Sequence, residues 1–185
     1  MREKERLHRK EKAQIAAAAV RLISEEQVVV LDSGTTTTAI ARALRDFKNL
    51  TIITNALNIA AELSGSDLEV ILIGGNLRKN SFSLVGPLAE DTLRRLNADI
   101  LFLGVDGFDV EHGLSTPNLL EARVNRAMMD VAKTTVAVCD SSKFGKRSLS
   151  LIAPPTTIQG VITDKGIRKS DLGALKKSGV EVTLV

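Results

Sequence analysis

The chain has 185 residues, a formal net charge of +3, 44% hydrophobic residues and 3% aromatic residues. This length favours one compact domain with a substantial hydrophobic core. Trp and Tyr are absent from the sequence, so the composition excludes an aromatic platform on which nucleic-acid bases would stack.

The positive charge is concentrated at the N-terminus. The first 12 residues hold six basic and three acidic side chains, and the rest of the chain holds 19 of each. A neutral domain offers no surface that attracts the phosphates of nucleic acid. We therefore expect the chain alone to bind DNA poorly.

Cysteine and histidine are scarce. Cys139 is the only cysteine and lies in an apolar run, and the histidines are His8 and His112. The sequence therefore predicts no intrachain disulfide, no metal site and no cofactor. No apolar stretch approaches the ~20 residues that span a bilayer, so we expect a cytoplasmic protein without a membrane partner.

The first predicted element is a helix from Glu3 to about Ser24, which contains good helix formers and no Gly or Pro. Its first dozen residues are too polar for a core, and mixed charge is typical of a solvated face. We predict a linker helix over residues 1–12, arriving from an upstream domain, and a globular domain over residues 13–185.

The rest of the chain alternates between short apolar runs and helical segments. This alternation predicts an α/β fold with a doubly wound, mostly parallel sheet and helices on both faces. The segment 74–86 departs from the alternation and predicts a small insertion, either a loop or a hairpin. The predicted strands are 28–31, 50–53, 70–73, 100–103, 135–138, 161–163 and 180–184, and the predicted helices are 37–44, 56–63, 88–96, 120–132 and 170–177.

The loop after the first strand has the composition of a phosphate-binding site. Gly34 is expected to allow a positive φ and close backbone approach, and hydroxyl groups and free N–H groups converge there at a helix N-terminus. The alternative is that the threonines only cap the helix and pack. The predicted phosphate-binding residues are Asp32, Ser33, Gly34, Thr35, Thr36 and Thr37.

The loops after the second and third strands add weaker signals. Thr54 and Asn55 end the second strand, and Gly74 and Gly75 end the third. The glycine pair would let the backbone approach a ligand held by the first loop. For Asn55, capping of the next helix is an equally good interpretation.

Polar residues also follow the fourth strand. Asp106, Gly107, His112 and Glu121 lie there, and the side chains of the Asp, His and Glu residues could serve acid–base chemistry on a sugar carbonyl. The alternative is that the carboxylates only hydrogen-bond sugar hydroxyls and that His112 is a turn residue. We favour recognition over catalysis, so no catalytic residue is assigned.

Lys143 follows the fifth strand in the run Asp140 to Phe144. Its ammonium group is a candidate partner for the ligand phosphate. The alternative is an ordinary exposed lysine.

Together these loops resemble, in their order along the chain, the sensor domain of the DeoR family of transcriptional repressors. The resemblance covers the chain from about Lys12 to the C-terminus, and the stretch Gly104 to Asn125 is most similar to the subgroup that regulates N-acetylgalactosamine use. The motifs that carry it are Asp32 to Thr37, Thr54-Asn55, Gly74-Gly75 with Arg78, Leu84 to Pro87, Gly104 to Gly107 and Asp140 to Phe144.

The resemblance implies the fold of ribose-5-phosphate isomerase and glucosamine-6-phosphate deaminase. It implies that residues 32–37 hold the phosphate of a sugar, with Asn55, Asp106, Glu121 and Lys143 around the sugar. Family members carry an N-terminal winged helix-turn-helix. Because this sequence starts at the predicted linker, we expect a sensor-only fragment, in which operator DNA would be bound only through the missing domain.

The expected partners are a hexose or hexosamine phosphate and further copies of the chain in a homo-oligomer. Two alternatives remain open from the sequence. The chain could be an active sugar-phosphate isomerase or deaminase, since fold does not fix function, or a purely structural oligomerisation module.

Overall fold

The computed structural model describes residues 6–185 of the chain. The helices are α1 (Arg9–Val20), α2 (Thr35–Ala43), α3 (Leu57–Leu63), α4 (Pro87–Leu93), α5 (Leu119–Val131) and α6 (Lys169–Lys177). The strands are β1 (Val28–Leu31), β2 (Thr51–Thr54), β3 (Glu69–Leu72), β4 (Asn76–Arg78), β5 (Ser83–Val85), β6 (Ala98–Gly104), β7 (Gly107–Asp109), β8 (Gly113–Thr116), β9 (Ala132–Val138), β10 (Ser150–Ala153), β11 (Gly160–Thr163) and β12 (Glu181–Leu184).

A seven-stranded sheet with the order β12-β11-β9-β6-β1-β2-β3 forms the centre of the fold. Every neighbouring pair in it is parallel. The chain builds outward from β1 through β2 to β3, and then crosses to β6 on the other side of β1. The strand order therefore reverses between β1 and β6, and ligands of doubly wound sheets bind beyond the carboxyl ends of such strands.

Helices cover both faces of the sheet, as the sequence predicts. Alternate residues of β1 point to opposite faces, so Val30 joins one core while Val29 and Leu31 join the other. The core of Val29 includes residues of α1, α2 and α3, and the core of Val30 includes residues of α4, α5 and α6.

Two small sheets flank the central one. The insertion at 74–86 is the antiparallel hairpin β4–β5, in agreement with the sequence. A three-stranded antiparallel sheet with the order β10-β8-β7 was not predicted. Its strands are three or four residues long, too short to show a clear pattern. β10 pairs with a segment that is distant in the sequence, whereas β7 and β8 form a short hairpin.

The predicted N-terminal helix is interrupted at His8 and ends earlier than predicted. Residues 1–5 of the predicted linker lie outside the described residues. His8 has a left-handed backbone with a φ of 53° immediately before α1 begins at Arg9, and α1 ends at Val20 rather than near Ser24. No helix within residues 6–185 is long and apolar enough to cross a bilayer.

Candidate functional site

Asp32 and Gly104 meet where the carboxyl ends of β1 and β6 lie side by side. The Gly104 N–H donates a hydrogen bond of 3.0 Å to Asp32 Oδ1. A Cβ atom at position 104 would lie 3.2 Å from the same oxygen, so a glycine there lets the carboxyl group sit tightly against the backbone. The crevice at the strand reversal is therefore built around a buried acid.

The loop after β1 folds back on itself through threonine hydroxyl groups. Thr37 Oγ1 donates to Asp32 O at 2.9 Å and to Gly34 O at 3.1 Å, and Thr38 Oγ1 donates to Gly34 O at 2.6 Å. The hydroxyl groups of Thr37 and Thr38 therefore bond to the loop's own carbonyl groups, and no side chain caps α2. Both hydroxyl groups fix the shape of the loop.

The prediction of a positive φ at Gly34 is wrong. Gly34 is the N-cap of α2 with φ −155° and ψ 164°, an extended backbone open to any residue. A glycine is favoured for space instead, because a Cβ atom would lie 3.1 Å from Thr37 Oγ1.

The first turn of α2 presents donors to the crevice. Within residues 6–185, no acceptor is recorded for the N–H groups of Thr35, Thr36 and Thr37, or for the hydroxyl groups of Ser33, Thr35 and Thr36. First-turn N–H groups have no partner inside a helix, and the helix dipole favours an anion there. The arrangement can bind a phosphate group without a lysine in the loop.

Burial, helped by the charges of Glu121 and Asp106 and opposed by hydrogen bonds from Gly104 and Thr37, raises the pKa of Asp32 from 3.8 to about 7. The Asp32 carboxyl group is 2% exposed. A carboxyl group that is partly protonated near neutral pH repels a neighbouring anion less than a full carboxylate does.

At the end of β2, Asn55 bonds to the hairpin and Thr54 bonds to the start of α3. Thr54 Oγ1 accepts from the Ala56 N–H at 3.1 Å, and Asn55 Nδ2 donates to Leu84 O at 3.0 Å. Both side chains are fully buried. The predicted capping role of Asn55 is wrong, since Ala56 is the N-cap of α3. Asn55 Oδ1 has no hydrogen-bond partner among the described residues and remains an available acceptor.

The predicted glycines differ in what surrounds them. A Cβ atom on Gly75, whose φ is +142°, would lie 2.7 Å from Val85 O, and one on Gly107 would lie 2.6 Å from Lys146 O. These two glycines allow backbone to pack on backbone rather than on a ligand. A Cβ atom on Gly74 would meet nothing within 4 Å.

Glu121 connects the hairpin to the crevice. Its Oε1 atom lies 2.6 Å from Arg78 Nη1 and accepts from Ser83 Oγ at 3.0 Å. Thr116 Oγ1 donates to Glu121 Oε2 at 3.3 Å and to Asp106 Oδ2 at 3.4 Å. The structure thus brings together Asp106 and Glu121, which the sequence predicted, and both are close enough to Asp32 to affect its pKa.

Arg78, Ser83 and Thr116 complete this cluster, although their positions in the sequence predict no role for them in the site. Arg78 belongs to the motifs of the resemblance. Its position after the pair Gly74-Gly75 is the sequence feature that could have identified it as a site residue. Ser83 and Thr116 carry no such signal, because their partner Glu121 is distant in the sequence.

His112 lies outside this cluster. It is exposed in the turn between β7 and β8, and its Nδ1 atom is 3.0 Å from Asp109 Oδ1. Backbone hydrogen bonds from His112 and Glu111 lower the pKa of Asp109 to about 2. The turn interpretation of His112 is therefore the one that the geometry supports.

Lys143 lies in a single 3-10 turn, Ser141–Lys143, after β9. Asp140 caps this turn, accepting from the Ser142 N–H at 3.1 Å. The Lys143 side chain is half-buried. No ion pair to it is recorded within residues 6–185, so its ammonium group is a free cation on this side of the sheet.

Other features of the described chain do not compete for this role. No group of three His, Cys, Asp or Glu residues in residues 6–185 is arranged to hold a metal ion. A cleft of about 250 Å³ lies near the amino ends of the strands, beside Gln27, Asp99 and Gln159. Its lining contains no lysine or arginine, so it does not suit an anion.

A profile of the protein family described as the DeoR C terminal sensor domain matches residues 7–165. The putative aga operon transcriptional repressor of Escherichia coli O157:H7 is 46% identical over 175 residues, 94% of this chain and 65% of the relative. The transcriptional repressor AccR of Agrobacterium fabrum is 40% identical over 163 residues, 87% of this chain and 63% of the relative. The chain thus spans about two thirds of the length of these curated relatives.

Two solved structures share the fold. Ribose 5-phosphate isomerase A from Methanocaldococcus jannaschii aligns with a TM-score of 0.54 and 17% identity over 74% of this chain and 55% of that chain. The eIF2B delta subunit from Chaetomium thermophilum aligns with a TM-score of 0.56 and 17% identity over 82% and 54%. These alignments confirm the predicted fold class. At this identity they carry no argument about ligand or activity.

Proposed function

Because this chain belongs to the DeoR family, as its C-terminal sensor domain, we propose that it binds a phosphorylated sugar as an effector and does not turn it over. The family is the one predicted from the loop motifs, and its relatives include the aga operon repressor. The ligand and its site are our inference from the geometry of the crevice.

The first turn of α2 carries the proposal. The N–H groups of Thr35, Thr36 and Thr37 and the hydroxyl groups of Ser33, Thr35 and Thr36 have no recorded acceptor within residues 6–185. A phosphate monoester has enough acceptor oxygens to pair with several of these donors at once, and the helix dipole adds a favourable charge interaction. Asp32, when protonated, permits the dianion to approach.

The sugar would extend from the phosphate toward the groups beyond β6. Asp106 and Glu121 are acceptors for sugar hydroxyl groups, Lys143 is a cation, and Asn55 Oδ1 is a buried acceptor without a partner. In this proposal Thr54, Gly74, Gly75 and Gly107 serve the sugar site indirectly, by shaping the loops and the hairpin around it.

The contacts of Glu121 argue against turnover. A general base needs a carboxylate that is free to accept a proton from the substrate. Glu121 is held instead by the Arg78 guanidinium group, Ser83 Oγ and Thr116 Oγ1. Such a carboxylate suits the recognition of hydroxyl groups.

In the whole protein, we propose that the effector alters operator binding by an upstream winged helix-turn-helix domain, with residues 1–12 as the linker. Helix α1 begins within this linker at Arg9, and its residues Ile15 and Ala19 share a core with Ile40 and Ala41 of α2. The linker thus continues into α1, and α1 packs against α2, the helix whose first turn holds the phosphate in this proposal. A tenfold change in operator affinity requires a coupling of only about 1.4 kcal/mol.

Thermal shift with a panel of sugar phosphates tests the binding. A ligand at about 100 times its dissociation constant adds ~2.7 kcal/mol of stability, so a hit among tagatose, galactosamine, glucosamine, fructose and ribose phosphates raises the melting temperature. The unphosphorylated sugars are expected to have no effect. If neither any sugar phosphate nor inorganic phosphate raises it, the chain is an oligomerisation module instead.

Acidic substitutions in the first turn of α2 locate the phosphate. Thr36→Glu, and Thr35→Glu at a more accessible position, place a negative charge where the phosphate would lie and are expected to abolish the shift. Thr92→Glu, at an exposed position in α4, is the control and should bind like the wild type. Circular dichroism checks that each variant is folded, and retained affinity in both crevice variants would contradict the placement.

Turnover is tested separately. The chain is incubated with the same sugar phosphates, and the products are followed by NMR. Binding without product supports a sensor, whereas steady formation of an isomerised or deaminated sugar would make the chain an enzyme.

A further inference from the structure

The residue that precedes α1 contacts the loop that carries Lys143. His8 Nε2 lies 3.9 Å from Asp140 Oδ1, and Asp140 immediately precedes the 3-10 turn Ser141–Lys143. The His8 side chain is 45% exposed, whereas that of Asp140 is 3% exposed. The proposed linker therefore lies against the loop that supplies one cation of the proposed effector site.

Further contacts hold this part of the linker in place. His8 has a left-handed backbone with a φ of 53°, which costs a residue other than glycine about 1 kcal/mol and persists where the surroundings impose it. Lys12 is 6% exposed, and its Nζ atom donates to Leu7 O. His8 and Lys12 are four residues apart and so lie on the same side of the helix, the side on which Ile15 and Ala19 are buried.

Asp140 also determines the shape of the turn. Its Oδ1 atom accepts from the Ser142 N–H at 3.1 Å and from Ser142 Oγ, and its backbone carbonyl accepts from the Lys143 N–H at 3.1 Å. The turn is also fixed to the loop after β11, because the Ser141 N–H and Oγ donate to the Asp164 carboxylate at 2.6 and 2.8 Å. The position of Lys143 thus depends directly on Asp140.

One carboxylate oxygen serves both the turn and the linker. Asp140 Oδ1, which caps the turn, is also the oxygen that faces His8. A hydrogen bond between a nitrogen and an oxygen has a length of about 2.9 Å. From the observed 3.9 Å, a displacement of the turn by ~1 Å is therefore enough to form such a bond or to remove the contact. Any movement of Lys143 that carries Asp140 with it changes the surroundings of His8.

We propose that Asp140 and His8 are positioning residues of the effector site. Asp140 holds the turn from which the Lys143 ammonium group reaches the bound sugar phosphate, and His8 fixes the Asp140 carboxylate from the side of the linker. Both residues act through Lys143 and do not touch the sugar phosphate themselves. This role rests on the proposed function, because it concerns how the same site presents its cation. It makes the linker a part of the effector site.

Isothermal titration calorimetry measures the contribution of the pair to binding. Each of the tagatose, galactosamine, glucosamine, fructose and ribose phosphates that raises the melting temperature is titrated. His8→Ala and Asp140→Asn are each expected to raise its dissociation constant about two- to fivefold, the range for an ion pair with an exposed partner. Asn at position 140 can still accept from the Ser142 N–H, so the cap of the turn is kept. Because both substitutions remove the same contact, the double variant should bind no more weakly than either single variant.

His112→Ala is the matched control. His112 is also exposed and faces an aspartate, with its Nδ1 atom 3.0 Å from Asp109 Oδ1, but it lies outside the crevice and its loss should leave the affinity unchanged. His8→Gln keeps an N–H donor beside Asp140 and should restore affinity close to that of the wild type. The His8 side chain does not cap α1, so a capping effect on the helix does not account for such a rescue.

The imidazole signals of the two histidines give a second measurement by NMR. In the wild type, a sugar phosphate that binds should move the Cε1–H signal of His8 and leave that of His112 in place, and Asp140→Asn should remove this movement. Circular dichroism checks the fold, and the two His8 variants decide the matter if Asp140→Asn is unfolded.

Wild-type affinity in the folded His8→Ala variant, or losses that add up in the double variant, would overturn the positioning role and leave the proposed function intact. If none of the sugar phosphates raises the melting temperature, the proposed function itself fails, and the positioning role fails with it.

Discussion

Replacing Asp32 by Asn removes the buried acid at the centre of the crevice and keeps its shape. The amide Oδ1 atom can still accept the hydrogen bond that Gly104 N–H donates at 3.0 Å. Burial, with the charges of Glu121 and Asp106, raises the pKa of Asp32 from 3.8 to about 7. At pH values between these two pKa values, the Asp32 carboxyl group binds its proton more tightly in the folded chain than in the unfolded chain.

The sign and size of the effect follow from this difference. The contribution of Asp32 to stability is fully present below its unfolded pKa, and it is lost as the pH rises toward the folded pKa. The full difference corresponds to ~4 kcal/mol at 1.36 kcal/mol for each unit of pKa. About 3 kcal/mol of it falls between about pH 5 and about pH 8.

Urea unfolding at a series of pH values measures this contribution. The free energy of unfolding of Asp32→Asn should increase relative to that of the wild type by about 3 kcal/mol between about pH 5 and about pH 8. Asp67→Asn, at an exposed position, is the control and should run parallel to the wild type. Parallel profiles for Asp32→Asn and the wild type would refute the reasoning.

Two further substitutions test the loops. In the same urea experiment, Gly75→Ala should destabilise the chain by at least about 1 kcal/mol, since its φ of +142° and the 2.7 Å approach to Val85 O exclude a Cβ atom. Gly74→Ala is the control and should be nearly neutral, because a Cβ atom there would meet nothing within 4 Å. His112→Ala should leave sugar-phosphate affinity unchanged by thermal shift, and by NMR it should move the pKa of Asp109 up from about 2; lost affinity would place His112 in the site.

The central sheet and its helices follow from local patterns in the sequence. Strands covered on both faces are almost continuously apolar, which is why Val28 to Leu31 predicts β1 correctly. The sheet of β7, β8 and β10 does not follow, because β7 has three residues and begins with Gly107. The β7–β8 hairpin is too short to show an alternating pattern, and β10 joins it by pairing with a distant segment of the chain, for which the sequence alone has no marker.

The candidate site was predicted in part. The loop from Asp32 to Thr37 is contiguous, so its composition indicates its chemistry directly. The expectation for Gly34 failed because glycine is also selected for space, and sequence does not separate a left-handed φ from a close contact. The Arg78–Glu121 ion pair was missed because it joins two elements whose approach is set by tertiary packing.

Amide chemical shifts of the chain, followed by NMR during titration with the sugar phosphate that gives the largest thermal shift, test the central claim most directly. If the first turn of α2 holds the phosphate, the N–H signals of Thr35, Thr36 and Thr37 move the most, and inorganic phosphate moves the same signals. If those three signals stay in place while the largest changes occur elsewhere in the chain, the phosphate binds at another site and the account is wrong.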